Sequence, residues 1–224
     1  MYDQSWREYF DTRPVGRRIP ARRVFGNCCR AVGVVLVAFA VYRLWGTGLT
    51  EARGQASLRQ AFGSVQAAPS QAALLVAAVP MDSSPPAAPI GEAIAIIKIP
   101  KIEVEKAVVE GTRAQDLSKG PGHYVGTPLP GEPGNAAIAG HRTTYGAPFF
   151  HLDQLAAGDP ILITTHKGTF RYEVVSQKVI TPTDSSVFNP TIDNRLTLTT
   201  CHPPMSAAKR MVVVAVLKGS PAAK

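Results

Sequence analysis

"IAIIKIPKIEVEKAVVEGT", Ile94 to Thr112, is where the chain changes character. Apolar and polar residues alternate, most of the apolar ones are β-branched, and Pro100 interrupts the run. A period of two with β-branching is the mark of a half-buried strand, and proline stops a ladder because it has no N–H to donate. The stretch therefore predicts strands on both sides of Pro100 and marks the start of a compact domain, 94–219. Further strands are predicted at Ala136 to Ala139, Pro160 to Thr165, Thr169 to Ile180, Leu196 to Thr200 and Met211 to Leu217, divided by Gly, Pro and Asp turn signals. Helical patterns are short, at Thr112 to Leu117 and Pro148 to Leu155. Short strands at regular spacing, without alternating helices, point to a mainly β domain, a closed barrel or a sandwich.

Upstream, residues 50–93 are rich in Ala, Gln, Ser and Pro and read as a flexible extracellular linker, with Gln71 to Val79 able to form a short helix. Before it, "AVGVVLVAFAVY" starts at Ala31, and the apolar stretch widens to residues 24–49 if Arg30 and Arg43 snorkel. That predicts one transmembrane signal-anchor helix. No small-x-small cleavage site follows it, and Trp45 lies behind it as an interfacial anchor. The formal net charge is +8. Seven arginines against three acids in the first thirty residues make residues 1–23 the core of a basic tail, placed in the cytoplasm beside anionic lipid rather than on nucleic acid. The compact domain is then extracellular.

Of the three cysteines, Cys28 and Cys29 fall at the inner membrane edge, which leaves Cys201 as a lone exported thiol. It ends the strand "TLTTC" just before His202, Pro203 and Pro204. Alternation puts Thr197, Thr199 and Cys201 on one face, and Leu196, Leu198 and Thr200 on the other. A loop then leads to Arg210, which opens the strand "RMVVVAVL". If the two strands pair antiparallel, thiol and guanidinium meet at one end of the sheet. A thiol attacks a carbonyl as thiolate and needs a base. Among His123, His141, His151, His166 and His202, His141 stands out, since it ends the small-residue strand "NAAIAG". His202 points away from Cys201 by alternation, and His151 and His166 read as surface or hydrogen-bonded histidines. Arg210, permanently charged and planar, could hold the oxyanion that such an attack generates. Cys201 and His202 as neighbours make poor tetrahedral ligands and no CxxC spacing exists, so no metal is expected. No glycine-rich phosphate loop opens a helix, so no nucleotide is expected either.

"TLTTC" with Arg210 nine positions on, "AIAGHRTTYGAPFFHLDQLAAGD" and "IKIPKIEVEKAVVEGT" together resemble the sortases, membrane-anchored cysteine transpeptidases of Gram-positive bacteria. The resemblance covers Ile94 to Leu217, and "GPGHY", "GHRTTYG" and "TTCHP" are most similar to the class E group of actinobacteria. It implies an eight-stranded sortase β-barrel with short helices, catalytic His141, Cys201 and Arg210, and Thr200 as the threonine that shapes the substrate groove. It further implies cleavage of an LAxTG- or LPxTG-type C-terminal sorting signal after Thr, a thioacyl enzyme, and transfer to an amine of lipid II or of a peptidoglycan stem peptide, with no cofactor. Two other readings compete. One is an L,D-transpeptidase-like wall enzyme, which lacks support because the cysteine has no Ser- and Gly-rich surroundings. The other is a noncatalytic membrane-tethered barrel that displays a binding surface.

Overall fold

The computed structural model describes residues 21–42, 46–67 and 89–219. Helix α1, Ala21–Val41, stands as a unit by itself, with Val32, Val34, Val35, Leu36, Val37 and Phe39 all exposed. The bounds of the helix expected over 24–49 are corrected here. The helix ends at Val41, a second begins at Thr47, and among the described residues no helix is long and apolar enough to cross a membrane. Arg22, Arg23, Asn27 and Arg30 occupy the first half of α1, so its unbroken apolar run is short of the roughly 20 residues a span requires. Trp45, residues 1–20 of the basic tail and the predicted helix at 71–79 lie outside the described residues.

The linker expected from Thr50 is also corrected at its start, because Thr47–Ala67 forms a 21-residue helix, α2. Thr47, Glu51, Gln55, Leu58 and Phe62 are buried, spaced to share one face. This helix docks on strands β1, Ala93–Ile99, and β2, Val104–Glu110, partly through side-chain amide chemistry. Gln55 accepts from Ala107 N at 2.7 Å and donates to Ala107 O at 3.0 Å and Lys119 O at 2.8 Å. On that edge β2 has only the two residues of β3, Gly122–His123, as strand partners. The Gln55 amide thus meets backbone groups that a longer neighbouring strand would have paired.

The remaining strands are β4 (Asn135–Ala139), β5 (Pro160–Thr165), β6 (Gly168–Ile180), β7 (Arg195–His202) and β8 (Lys209–Gly219). They close into a barrel in the order β1-β2-β3-β4-β7-β8-β6-β5. One helical turn, α3 (Ala114–Leu117), and 3-10 turns at Pro100–Ile102, Leu152–Gln154 and Ser186–Phe188 fill the connections. Barrel closure removes the exposed edges that an open sheet would leave. Alternation fills the interior: Ile97, Ile99, Ile138, Ile161, Ile163, Tyr172, Leu196, Leu198 and Val213 belong to one continuous core. On the three adjacent strands β4, β7 and β8, the residues out of phase with this core face outward.

Candidate active site

Strand β7 is central to the site because both of its neighbours bring a functional residue to its C-terminal end. With β8 it pairs antiparallel, and the register sets Cys201 directly opposite Arg210. With β4 it pairs parallel, Ala137 opposite Thr197 and Ala139 opposite Thr199. Two further contacts carry that register past the ladder's end: Gly140 N donates to Thr199 O at 3.0 Å, and Thr200 Oγ1 donates to Gly140 O at 2.8 Å. His141, the next residue, therefore arrives beside Cys201. Ile138, Leu198, Met211 and Val213 pack in the core. The period of two then turns His141, Cys201 and Arg210 to the same outward face. The sequence-predicted trio is brought together by two ladders, one parallel and one antiparallel.

His141 is half-buried and its Nε2 is buried without a hydrogen-bond partner among the described residues. Burial pushes its pKa below the ordinary histidine value, which favours the neutral ring, able to accept a proton. Tyr145 packs against it, with ring centroids 5.0 Å apart. Arg210 Nη1 donates to Ala207 O and Lys209 O, both at 3.1 Å, which ties the guanidinium to the β7–β8 loop. Cys201 is half-buried and carries no disulfide. Thr200 is 3% exposed, and its hydroxyl is spent on Gly140 O.

The outward face continues away from Cys201 as a recess of about 260 Å³, floored by Asn135, Thr197 and Val214 and bounded by Val187, Asn189 and Thr191. Asn135 fastens the two sides: it accepts from Thr197 Oγ1 at 2.7 Å and donates to Val187 O at 2.8 Å. Nearer the cysteine, Tyr124 packs against Phe188 with the rings tilted at 39°, and its hydroxyl lies 3.4 Å from Thr199 Oγ1. An extended peptide laid along this face would run beside β4 and β7 toward the thiol.

The other histidines have separate places. His202 points to the opposite side of β7, as alternation requires, and its Nδ1 lies 3.3 Å from Arg142 Nη1. Arg142 is 3% exposed, pairs with Asp153 at 2.8 Å and donates to Phe150 O at 3.1 Å. Sequence reasoning passed over this arginine even though it follows His141 directly; His202 and Met211, which also contact it, come from distant strands. His123 is buried with Glu110, 2.8 Å from Nδ1, while Thr127 Oγ1 and Pro128 O approach Nε2. His166 stacks on Phe62, and His151 accepts from Gln154. Among the described residues no group of three or more His, Cys, Asp or Glu side chains is placed to hold a metal ion.

A closed barrel that gathers a cysteine, a histidine and an arginine at adjoining strand ends defines a class of thiol-bearing β-barrel proteins. The chain belongs to the sortase family: residues 97–218 match the sortase domain. It is 31% identical over 217 residues to sortase SrtE1 of Streptomyces coelicolor, a match covering 90% of this chain and 58% of that protein, so the chain spans a little over half the length of this curated relative. Among solved structures, the Clostridium perfringens sortase D5 transpeptidase superposes with a TM-score of 0.60 at 30% identity, covering 76% of this chain and 99% of that one. Streptomyces coelicolor sortase E1, solved with a tripeptide in its active site, gives a TM-score of 0.54 at 32% identity, with coverage of 58% and 90%.

Proposed function

We propose that this chain is a cysteine transpeptidase that cuts an LAxTG- or LPxTG-type sorting signal after its threonine and joins the new C-terminus to an amine of lipid II or a peptidoglycan stem peptide. The observation that carries the reading is the shared register of β4, β7 and β8, which turns His141, Cys201 and Arg210 to one face, the face that carries Thr197 and Val214 of the recess further along the strands. In this mechanism neutral His141 takes the Cys201 thiol proton, and the resulting thiolate attacks the Thr–Gly carbonyl while Arg210 donates to the oxyanion. Protonated His141 gives its proton to the departing glycine amine, which leaves a thioester on Cys201. His141, now neutral, takes a proton from the incoming amine as it attacks the thioester, and the thiolate is expelled. Burial of His141 favours the neutral form this second half requires. Thr200 serves the groove by holding Gly140, and hence His141, in line with Cys201.

The exposed valines, Leu36 and Phe39 of α1 support a membrane anchor that keeps the catalytic domain outside the cell. There, secreted substrates and lipid-linked wall precursors meet. The test incubates the purified full chain with an LAxTG peptide and an amine and follows the two cleavage products and the ligated product. Wild-type protein forms the ligated product and Cys201→Ala forms none; turnover by Cys201→Ala would overturn the assignment. Retention of the full chain in salt-washed membranes supports the anchor, and recovery in the soluble fraction refutes it.

A further inference from the structure

Among the buried polar residues of helix α2, Glu51 reaches the loop behind His141. Glu51 is 3% exposed and accepts a hydrogen bond from Lys106 Nζ at 2.7 Å through Oε1. Its other oxygen lies against Gly146, where an added Cβ would stand 2.7 Å from Oε2. Gly146, at φ 68, is flanked by Tyr145 at φ 50 and Ala147 at φ 44, three successive left-handed residues. Side chains other than glycine keep that conformation only when their surroundings hold them there. Tyr145 in turn packs on the His141 ring, at 36° and 5.0 Å between centroids. Since His141 Nε2 has no hydrogen bond to fix it, the angle of the ring depends on this packing.

We propose that Glu51 is a positioning residue for His141: buried Glu51, held by half-buried Lys106, props the loop at Gly146, and Tyr145 passes that support to the imidazole. Glu51 belongs to a helix outside the barrel strands, so α2 becomes part of the working site rather than a spacer leading to it. The inference rests on the roles given above to His141 and Cys201. A buried side chain cannot touch the sorting peptide, so its loss should lower kcat and leave KM nearly unchanged.

The test uses the full chain in detergent and compares Glu51→Ala, Tyr145→Ala and the double variant. Two readouts are taken: transpeptidation of an LAxTG peptide, and the pH dependence of Cys201 alkylation by iodoacetamide, followed by mass spectrometry of the Cys201 peptide. Glu51→Ala should lower kcat about 10-fold with KM within about 2-fold, as displacement of a reacting group by a fraction of an ångström does. It should also shift the midpoint of the alkylation profile, and the double variant should be no slower than Tyr145→Ala alone, because both act on one ring. Losses in kcat that multiply, or an alkylation midpoint that Glu51→Ala leaves in place, would overturn the proposal. Should Glu51→Ala not fold, Glu51→Met with Lys106→Met removes both charges of the pair together and carries the same comparison. If wild-type protein turns over no peptide, the transpeptidase reading fails, while the alkylation profile still decides whether Glu51 positions His141.

Discussion

Replacing Thr200 by valine removes one hydroxyl and almost no volume, so its effect can be assigned to a single hydrogen bond. That bond, Thr200 Oγ1 to Gly140 O at 2.8 Å, joins β7 to the residue that follows β4, one position before Cys201 and His141. Both ends are buried, Thr200 at 3% exposure. A buried hydrogen bond contributes about 1 kcal/mol net, and a carbonyl left without its donor costs about 1–3 kcal/mol. A loss of about 2 kcal/mol follows. For a domain of this size each kcal/mol moves the melting temperature about 2–4 °C, so Thr200→Val should melt roughly 4–8 °C lower. Chemistry should suffer separately. Measured well below the melt, kcat should fall about 10-fold, because His141 is no longer held in register with Cys201. Thr200→Ser, which keeps the hydroxyl, should recover most of both losses. The assay pairs calorimetry with peptide turnover at low temperature. A lower melting temperature with unchanged kcat would show that the bond only stabilises, and no change in either would refute the tether altogether.

Three other perturbations test neighbouring parts of the argument. Gly140→Ala places a Cβ 2.4 Å from Phe149 Cδ2 in the core, and such overpacking costs about 1–3 kcal/mol; a melt lowered by the variant and partly restored by adding Phe149→Leu is the expected pattern. His141, whose pKa burial lowers, binds a proton less readily folded than unfolded, so its contribution to stability is fully present above the ordinary value of 6.5 and is lost as pH falls below it. Denaturant midpoints for His141→Gln should therefore show a shallower pH slope below 6.5 than wild type does. Arg142→Met strands Phe150 O and unties Asp153, which is itself about half exposed, so the cost should be nearer about 1–3 kcal/mol than that of a fully buried broken ion pair, as a urea titration would show.

The strands could be read in advance because their side chains alternate against one core: Ile97, Ile99, Leu196 and Leu198 are apolar where the barrel is dry. Two-residue β3 shows no such period, since Gly122 and His123 are strand only by virtue of their partners Val109 and Ala139. Helix α2 escaped notice for a different reason. Its buried face mixes Glu51 and Gln55 with Leu58 and Phe62, and the polar pair bonds to Lys106 and to the β2 backbone, so no apolar stripe marks the helix. In the site, Cys201 and Arg210 followed from a strand, a loop and a returning strand. The place of His141 beside them depended on a parallel β4–β7 pairing across a long connection, which local periodicity cannot reveal. Arg142 was hidden in part the same way, since His202 and Met211 reach it from strands distant in the chain, while Phe150 and Asp153 lie in the connection that follows it.

The most direct measurement is intact-protein and peptide mass spectrometry of the wild-type chain mixed with an LAxTG peptide in the absence of any amine acceptor. A thioester between Cys201 and the fragment ending in threonine, released when an amine is added, is the predicted result. Cleavage of the peptide without any adduct on Cys201, or an adduct confined to Cys28 or Cys29, would contradict it.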